Sequence, residues 1–332
     1  MADTRFDVVG LGNAIVDVFA SVEDSFLEQH DIRKNGMTLI DEARADALVN
    51  AAPEGPQLSG GSGANTIVGI SSFGGKTAYI GKVANDALGT VFRRDMVDSG
   101  IPFESPPLEE GPATARCIIF VTPDGARSMN TFLGASVLFS PEDVQEDLIR
   151  DAGILYLEGY LFDQEAAKAA FVHASEIAQA AGRKVALTLS DGFCVERHRE
   201  SFLHLIKNHV DLVFANEDEL LSLYQTENFD EAVAKMQADA GLAAITRSEK
   251  GSVVIGPEGL VTVAAVPVEK VIDTTGAGDQ YAAGFLFGIS RGLDLETCAQ
   301  LGHVAAAEVI SHYGPRPETP YAGLAEKAGI KV

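Results

Sequence analysis

Short apolar runs, separated by helical stretches too long for a hairpin, leave this chain few folds to choose from. Runs at Phe6–Val9, Thr77–Ile80, Cys117–Thr122, Ile154–Leu157, Val185–Leu189, Leu212–Phe214, Ala243–Thr246 and Ser252–Ile255 read as strands. Helical patterns such as Gln164–Ala181 and Pro141–Arg150 lie between several of them. Strands joined by crossovers of that length pair side by side in one direction, so the spacing predicts an α/β layered core around a mostly parallel sheet covered on both faces. Two stretches depart from this pattern. Residues 14 to 58 contain the break Pro53-Glu54-Gly55-Pro56, and residues 112 to 134 place two apolar runs around Pro123-Asp124-Gly125, the pattern of a hairpin. Two excursions from one core can form a small cover over a site, as a phosphoryl-transfer enzyme requires to exclude water.

Chemistry concentrates at Asp273-Thr274-Thr275-Gly276-Ala277-Gly278-Asp279. A turn of small residues leads into the apolar stretch Gln280–Ile289, which is patterned as a buried helix. Gly276, Ala277 and Gly278 leave room for backbone N–H groups to face an anion at the positive end of the helix, with Asp279 beside it. Taken alone, the motif is equally a glycine-rich helix start capped by an acid. Gly60-Gly61-Ser62-Gly63-Ala64-Asn65 precedes another helical stretch, Ile67–Phe73, and Asn65 offers a donor and an acceptor to a hydroxyl-bearing ligand, although ordinary helix-entry chemistry explains the segment as well. Asn13 and Asp17, polar among apolar neighbours after the first strand, need partners if buried; turn-forming and capping roles would explain them as well.

Charge and cysteine usage exclude other classes. The 48 acidic and 25 basic residues give a net charge of -23, which repels nucleic acid and requires a local cluster of donors for any nucleotide. Cys117, Cys194 and Cys298 have no metal-ligand spacing and do not pair off, which fits a reducing cytoplasm. Met1–Asp7 runs into a strand without a signal-peptide core, and no run reaches the ~18 apolar residues of a membrane span. Gly10-Leu11-Gly12-Asn13-Ala14-Ile15 departs from a dinucleotide fingerprint because bulky Ile15 obstructs helix–strand packing. Ile70–Thr77 ends like a Walker A loop but runs from helix into strand, the wrong order for cradling phosphate, so Lys76 is expected in solvent.

Together these segments resemble the ribokinase-like sugar and nucleoside kinases of the PfkB family over nearly the whole chain. Gly60–Asn65 with Gly81-Lys82-Val83-Ala84-Asn85-Asp86 and Gly89 is similar to the family's N-terminal signature, and Asp273–Asp279 to its C-terminal one. Ala84 stands where many members carry glycine. The resemblance implies a single domain over residues 1–332, a three-layer α/β/α core, and a small β-rich lid formed by the two excursions. It implies an ATP-dependent kinase with Asp279 as general base and the amides of Gly276, Ala277 and Gly278 holding the γ-phosphate charge. A base at a helix N-terminus should have a depressed pKa. Asn13, Asp17, Gly61 and Asn65 match sugar-hydroxyl binders, and Arg127 a lid residue reaching the site.

The resemblance further implies that Asn216 and Glu219 organise Mg²⁺ mainly through water, and that Thr246 and Gly251 pass over the ATP phosphates. His303 would line the adenine pocket, although a lone histidine in an alanine-rich helix is commonly a packing residue. Asp273 and Thr275 could add oxygens to a monovalent cation, K⁺. The stretches around Gly302-His303 and Ile310–Gly314 with Pro317 are similar to adenosine kinases, which puts a nucleoside first as the small-molecule acceptor. A sugar kinase for ribose, fructose or a keto-deoxy sugar acid is the alternative, and a silent binding protein a remote one. No nucleic-acid or membrane partner is expected, and the protein would be a monomer or homodimer.

Overall fold

The computed structural model describes residues 4–331, less the side chain of Asp163; Met1–Asp3, read above as leading into the first strand, lie outside it. The first half of the chain runs β1 (Phe6–Leu11), β2 (Ile15–Ser21), α1 (Asp24–Gln29), β3 (Met37–Leu39), α2 (Glu42–Ala51), β4 (Gln57–Gly60), α3 (Ser62–Ser72), β5 (Thr77–Ile80), α4 (Ala87–Asp98), β6 (Ala115–Val121) and β7 (Arg127–Phe132). The second half adds α5 (Glu146–Arg150), β8 (Ala152–Glu158), α6 (Glu165–Ala180), β9 (Lys184–Thr188), α7 (Gly192–Asn208), β10 (Leu212–Asn216), α8 (Glu217–Tyr224), α9 (Phe229–Asp239), β11 (Ala243–Thr246), β12 (Ser252–Gly256), β13 (Gly259–Val263), α10 (Ala277–Ser290), α11 (Leu295–Val309) and α12 (Tyr321–Lys327).

Eight strands form one sheet in the order β13-β12-β11-β10-β9-β8-β1-β5. The run from β11 to β5 is parallel, and β12 and β13 close one edge antiparallel. Because side chains alternate across a strand, each strand feeds two cores. Val9, Leu11, Leu155, Leu157, Leu187 and Val213 point to the layer that holds α5 to α9. Val8, Ile154, Tyr156, Ala186 and Phe214 point to the layer built on α3, α10 and α11. This is the expected three-layer α/β/α arrangement.

A second sheet of five strands runs β3-β7-β6-β2-β4. The expected hairpin is present, with β6 and β7 antiparallel around Pro123-Asp124-Gly125. The strands β2, β3, β4 and β13 were not foreseen: β3 and β4 are too short and mixed in character to show a period. Asp17 therefore lies within a strand rather than in the turn suggested by its polar character. One face of this sheet carries Ala20, Ile118 and Phe120, which pack with Leu27, Ala45 and Leu48 of α1 and α2 into a core of their own. The helix expected over Pro141–Arg150 is divided into a 3-10 turn, Pro141–Asp143, and α5, because Val144 between them is extended.

Helix α10 is apolar on nearly every side because it is wedged between α3 and α11. Its approach to α11 depends on Gly284, where a Cβ would fall 2.6 Å from Gly302 N. Gly284→Ala should therefore overpack this contact and lower stability by about 1–3 kcal/mol. Urea denaturation checks this, and an unchanged midpoint would contradict it.

Candidate active site

Gly276 caps α10 in the left-handed region, φ 80°, where a side chain is strained, and a Cβ would meet Pro315 Cα at 2.7 Å. Of the three amides expected to face an anion, that of Ala277 turns back to Thr274 O at 3.2 Å. Those of Gly276 and Gly278 donate to nothing among the described residues. At Gly278 a Cβ would meet no atom within 4 Å, so the turn opens onto free space at the positive end of the helix.

Asp279 stands in the first turn behind that opening. Its Oδ1 accepts from Ser62 Oγ at 2.6 Å and its Oδ2 from Asn65 Nδ2 at 3.1 Å, which joins the two glycine-rich segments across 217 and 214 residues of chain. The expected depression of its pKa is overturned: burial pushes it up to about 6, against the two donors. Loss of water around the carboxylate outweighs its place at the helix end. The shift brings the group nearer the pH at which a general base works well.

Asn13 and Gly63 share a partner not singled out in the sequence. Asn13 donates to Glu158 through its amide (3.2 Å) and Nδ2 (3.0 Å), and Gly63 N donates to it at 2.8 Å. Tyr79 OH donates to Asn13 O at 3.0 Å. Glu158 is buried at the carboxyl end of β8, and burial raises it to about 7 despite those N–H donors. Gly61, at φ 92°, passes so close to β2 that a Cβ would lie 2.6 Å from Asn13 O.

Asp17 and Arg127 share one face of the small sheet. Register puts Ile15, Asp17, Phe19, Leu58, Cys117, Ile119, Arg127, Met129, Met37 and Leu39 on that side, opposite the packed core of α1 and α2. Burial lifts Asp17 to about 6, opposed by Arg316 and then Arg127. Arg127 lies over the Phe19 ring and donates through Nη1 to Asp273 Oδ2. Asp273 also accepts from Thr275 through Oδ1 and from Gly314 N through Oδ2. Both oxygens are thus used within the chain, and a guanidinium already stands beside them.

Two of the nucleotide candidates, Asn216 and Thr246, lie at the carboxyl ends of parallel strands, where open α/β sheets bind ligands. Asn216 and Thr246 are register partners that end β10 and β11. Asn216 and Glu219 form a reciprocal cap: Asn216 N and Nδ2 donate to Glu219 at 3.0 and 2.6 Å, and Glu219 N donates to Asn216 Oδ1 at 2.8 Å. Burial raises Glu219 to about 7. No three His, Cys, Asp or Glu side chains among the described residues are grouped to hold a metal directly. The pair fits a Mg²⁺ held through water and phosphate. Gly251 closes the turn after Thr246, its carbonyl accepting from Arg247 N at 2.8 Å. Arg247 is committed to Glu217 and stacked on Phe229. His303 belongs to a separate buried set, with Nε2 2.9 Å from Ser252 Oγ, which also receives Tyr281 OH at 2.9 Å. Burial lowers it to about 4, which favours the neutral ring. Lys76 is exposed, as expected.

Sequence reasoning missed Ser62, Glu158 and Arg316. An acid closing an apolar parallel strand was a usable signal for Glu158, and an arginine between Pro315 and Pro317 a weaker one for Arg316.

A family model described as pfkB family carbohydrate kinase matches residues 32–321. The chain belongs to the pfkB family. Within this kinase family its likeness runs to the adenosine kinase-like branch. A crystal structure of adenosine kinase from Sinorhizobium meliloti is 50% identical, with a TM-score of 0.89 over 98% of this chain and 99% of that one. A probable sugar kinase from Rhizobium etli is 47% identical, with a TM-score of 0.90 over the same shares. The adenosine kinase of Saccharomyces cerevisiae is 26% identical over 330 residues, 93% of this chain and 96% of the relative. No helix of this pfkB kinase, among the described residues, is long and apolar enough to cross a membrane.

The raised carboxylates make stability depend on pH with a definite sign. An acid whose folded pKa is lifted from 4.5 to about 7, as for Glu158, holds its proton longer when folded. Stability should therefore fall as pH rises through that interval and level off above it. Glu158→Gln should flatten the decline, as urea midpoints at about pH 5 and about pH 8 would show. Equal slopes for the two proteins would contradict the assignment.

Proposed function

We propose that this kinase moves the γ-phosphoryl group of ATP to a primary hydroxyl of a nucleoside resembling adenosine. The observation that carries this reading is the exposed, mostly apolar face of the small sheet. Leu58, Met37 and Leu39 are exposed there beside Phe19 and Met129, with Asp17 and Arg127 as the charges. An acceptor that is apolar at one end and rich in hydroxyls at the other suits such a wall. A nucleobase would lie on the aliphatic and aromatic side chains, while ribose hydroxyls meet Asp17 and Asn13. The 50% identity to an adenosine kinase supports the same choice.

Asp279 accepts the proton as the hydroxyl oxygen bonds to the γ-phosphorus and the bond to ADP breaks. Free amides at Gly276 and Gly278 face the oxygens on which charge collects. Positioning and electrostatics supply most of the rate, because a loose transition state asks little of the base. Asn216 and Glu219 would hold the waters of a Mg²⁺, which would supply neutralisation of phosphate charge. The small sheet acts as the cover that excludes water. A sugar acid is the second reading. It is favoured by two guanidinium groups, Arg127 and Arg316, each with a buried Nη2 that has no hydrogen-bond partner among the described residues.

ADP production with Mg²⁺ and ATP against nucleosides, pentoses, hexoses and sugar acids tests the acceptor. Adenosine should turn over, and a silent adenosine beside an active sugar would reverse the ranking. Asp279→Asn should lower kcat by roughly 10²–10⁴-fold with the fold intact. Full turnover in that variant would remove the base.

A further inference from the structure

Arg316 enters the site from the segment after α11, which is fastened by Asp273 through Gly314 N, by Glu308 through Glu318 N and Thr319 N, and by Gln280. Gln280 Nε2 donates to Pro315 O at 2.8 Å and to Asn65 O at 3.1 Å, tying that segment to α3. From there Arg316 reaches back, with Nη1 donating to Ser59 Oγ at 2.8 Å and Nε to Asn65 Oδ1 at 3.2 Å. The second contact has a consequence for the base. A carboxamide has one accepting and one donating end. With its oxygen held by a guanidinium, Asn65 must present its amide hydrogens on the other side, where they meet Asp279 Oδ2 at 3.1 Å. Reversing the amide would set hydrogens against a cation and oxygen against a carboxylate, two repulsive contacts in place of two attractive ones.

We propose that Arg316 is a positioning residue of the phosphoryl transfer: it fixes the direction of the Asn65 carboxamide and, through it, aims the Asp279 carboxylate at the acceptor hydroxyl. The inference rests on the reading of Asp279 as the base. Three features separate this role from a mere clamp. Lysine and arginine differ here, because a guanidinium serves Ser59 and Asn65 at once with planar donors whereas an ammonium is a point charge. Asp17, on the acceptor side, is the carboxylate that acts most strongly on this guanidinium. The third Arg316 nitrogen, Nη2, is buried and makes no hydrogen bond among the described residues, so a donor of the side chain is left over there.

Steady-state kinetics of Arg316→Gln, Arg316→Lys, Asn65→Ala, the double variant Asn65→Ala/Arg316→Gln and Asp279→Asn test the chain of contacts, with thermal melting as a check of folding. Arg316→Gln should lower kcat on the order of 10²-fold, as misaimed reacting groups do, with KM for ATP unchanged. Arg316→Lys should recover part of that loss by keeping the charge. Because Arg316 acts through Asn65, the double variant should fall within about twofold of Asn65→Ala alone. Independent, multiplying losses would overturn the inference, as would a uniform decline of every constant together with the melting temperature. Full kcat in Arg316→Gln beside a strong loss in Asp279→Asn would sink this inference alone. Full turnover in Asp279→Asn would remove it together with the reading on which it rests.

Discussion

One partly buried carboxylate organises the site. Among the described residues the side chain of Asp279 takes hydrogen bonds from Ser62 Oγ and Asn65 Nδ2, and those two contacts link the start of α10 to the start of α3. Neither helix is held in this relation by its own sequence; α10 is wedged by α11 on its other side and α3 lies on β1 and β5. The hydrogen bonds therefore set the final aim of an acid whose gross location is settled by packing. Removing it from water raises its proton affinity, and the same removal makes each remaining contact to it stronger.

Around it the protein gathers carboxylates under the same constraint. Asp17, Glu158 and Glu219 are all lifted by burial, and Asp279 itself adds repulsion at each of them. A chain with a large negative charge thus concentrates acid in one buried cluster. It offsets this locally with two arginines and open backbone amides rather than with a basic surface. That division fits recognition by directed donors, which depends on distance and angle, more than attraction by a broad field.

Much of this was legible in the sequence because its parts are local. Strand and helix alternation, the hairpin at residues 115–132 and the small-residue turn before Asp279 each lie within a few residues of chain, so composition and spacing expose them. Partnerships across long separations were not legible. Nothing near Glu158 says that Asn13, 145 residues away, donates to it twice. Nothing near Arg127 says that Asp273 takes its guanidinium. The pKa of Asp279 was misjudged for a related reason, since a helix dipole can be read from sequence and desolvation depends on what the rest of the fold brings near. Strands β3 and β4 escaped because they have 3 and 4 residues, too few to display alternation.

The two faces of the small sheet have separate duties. Ala20, Ile118 and Phe120 face α1 and α2, while Leu58, Met37 and Leu39 face outward on the side of Asp17. Neighbours along each strand thus meet different surroundings, one set buried against helices and the other left at the surface. Under the proposed function, such a partition would let the choice of alcohol be retuned by exchange at a few surface positions, without first relaxing the architecture that supports them.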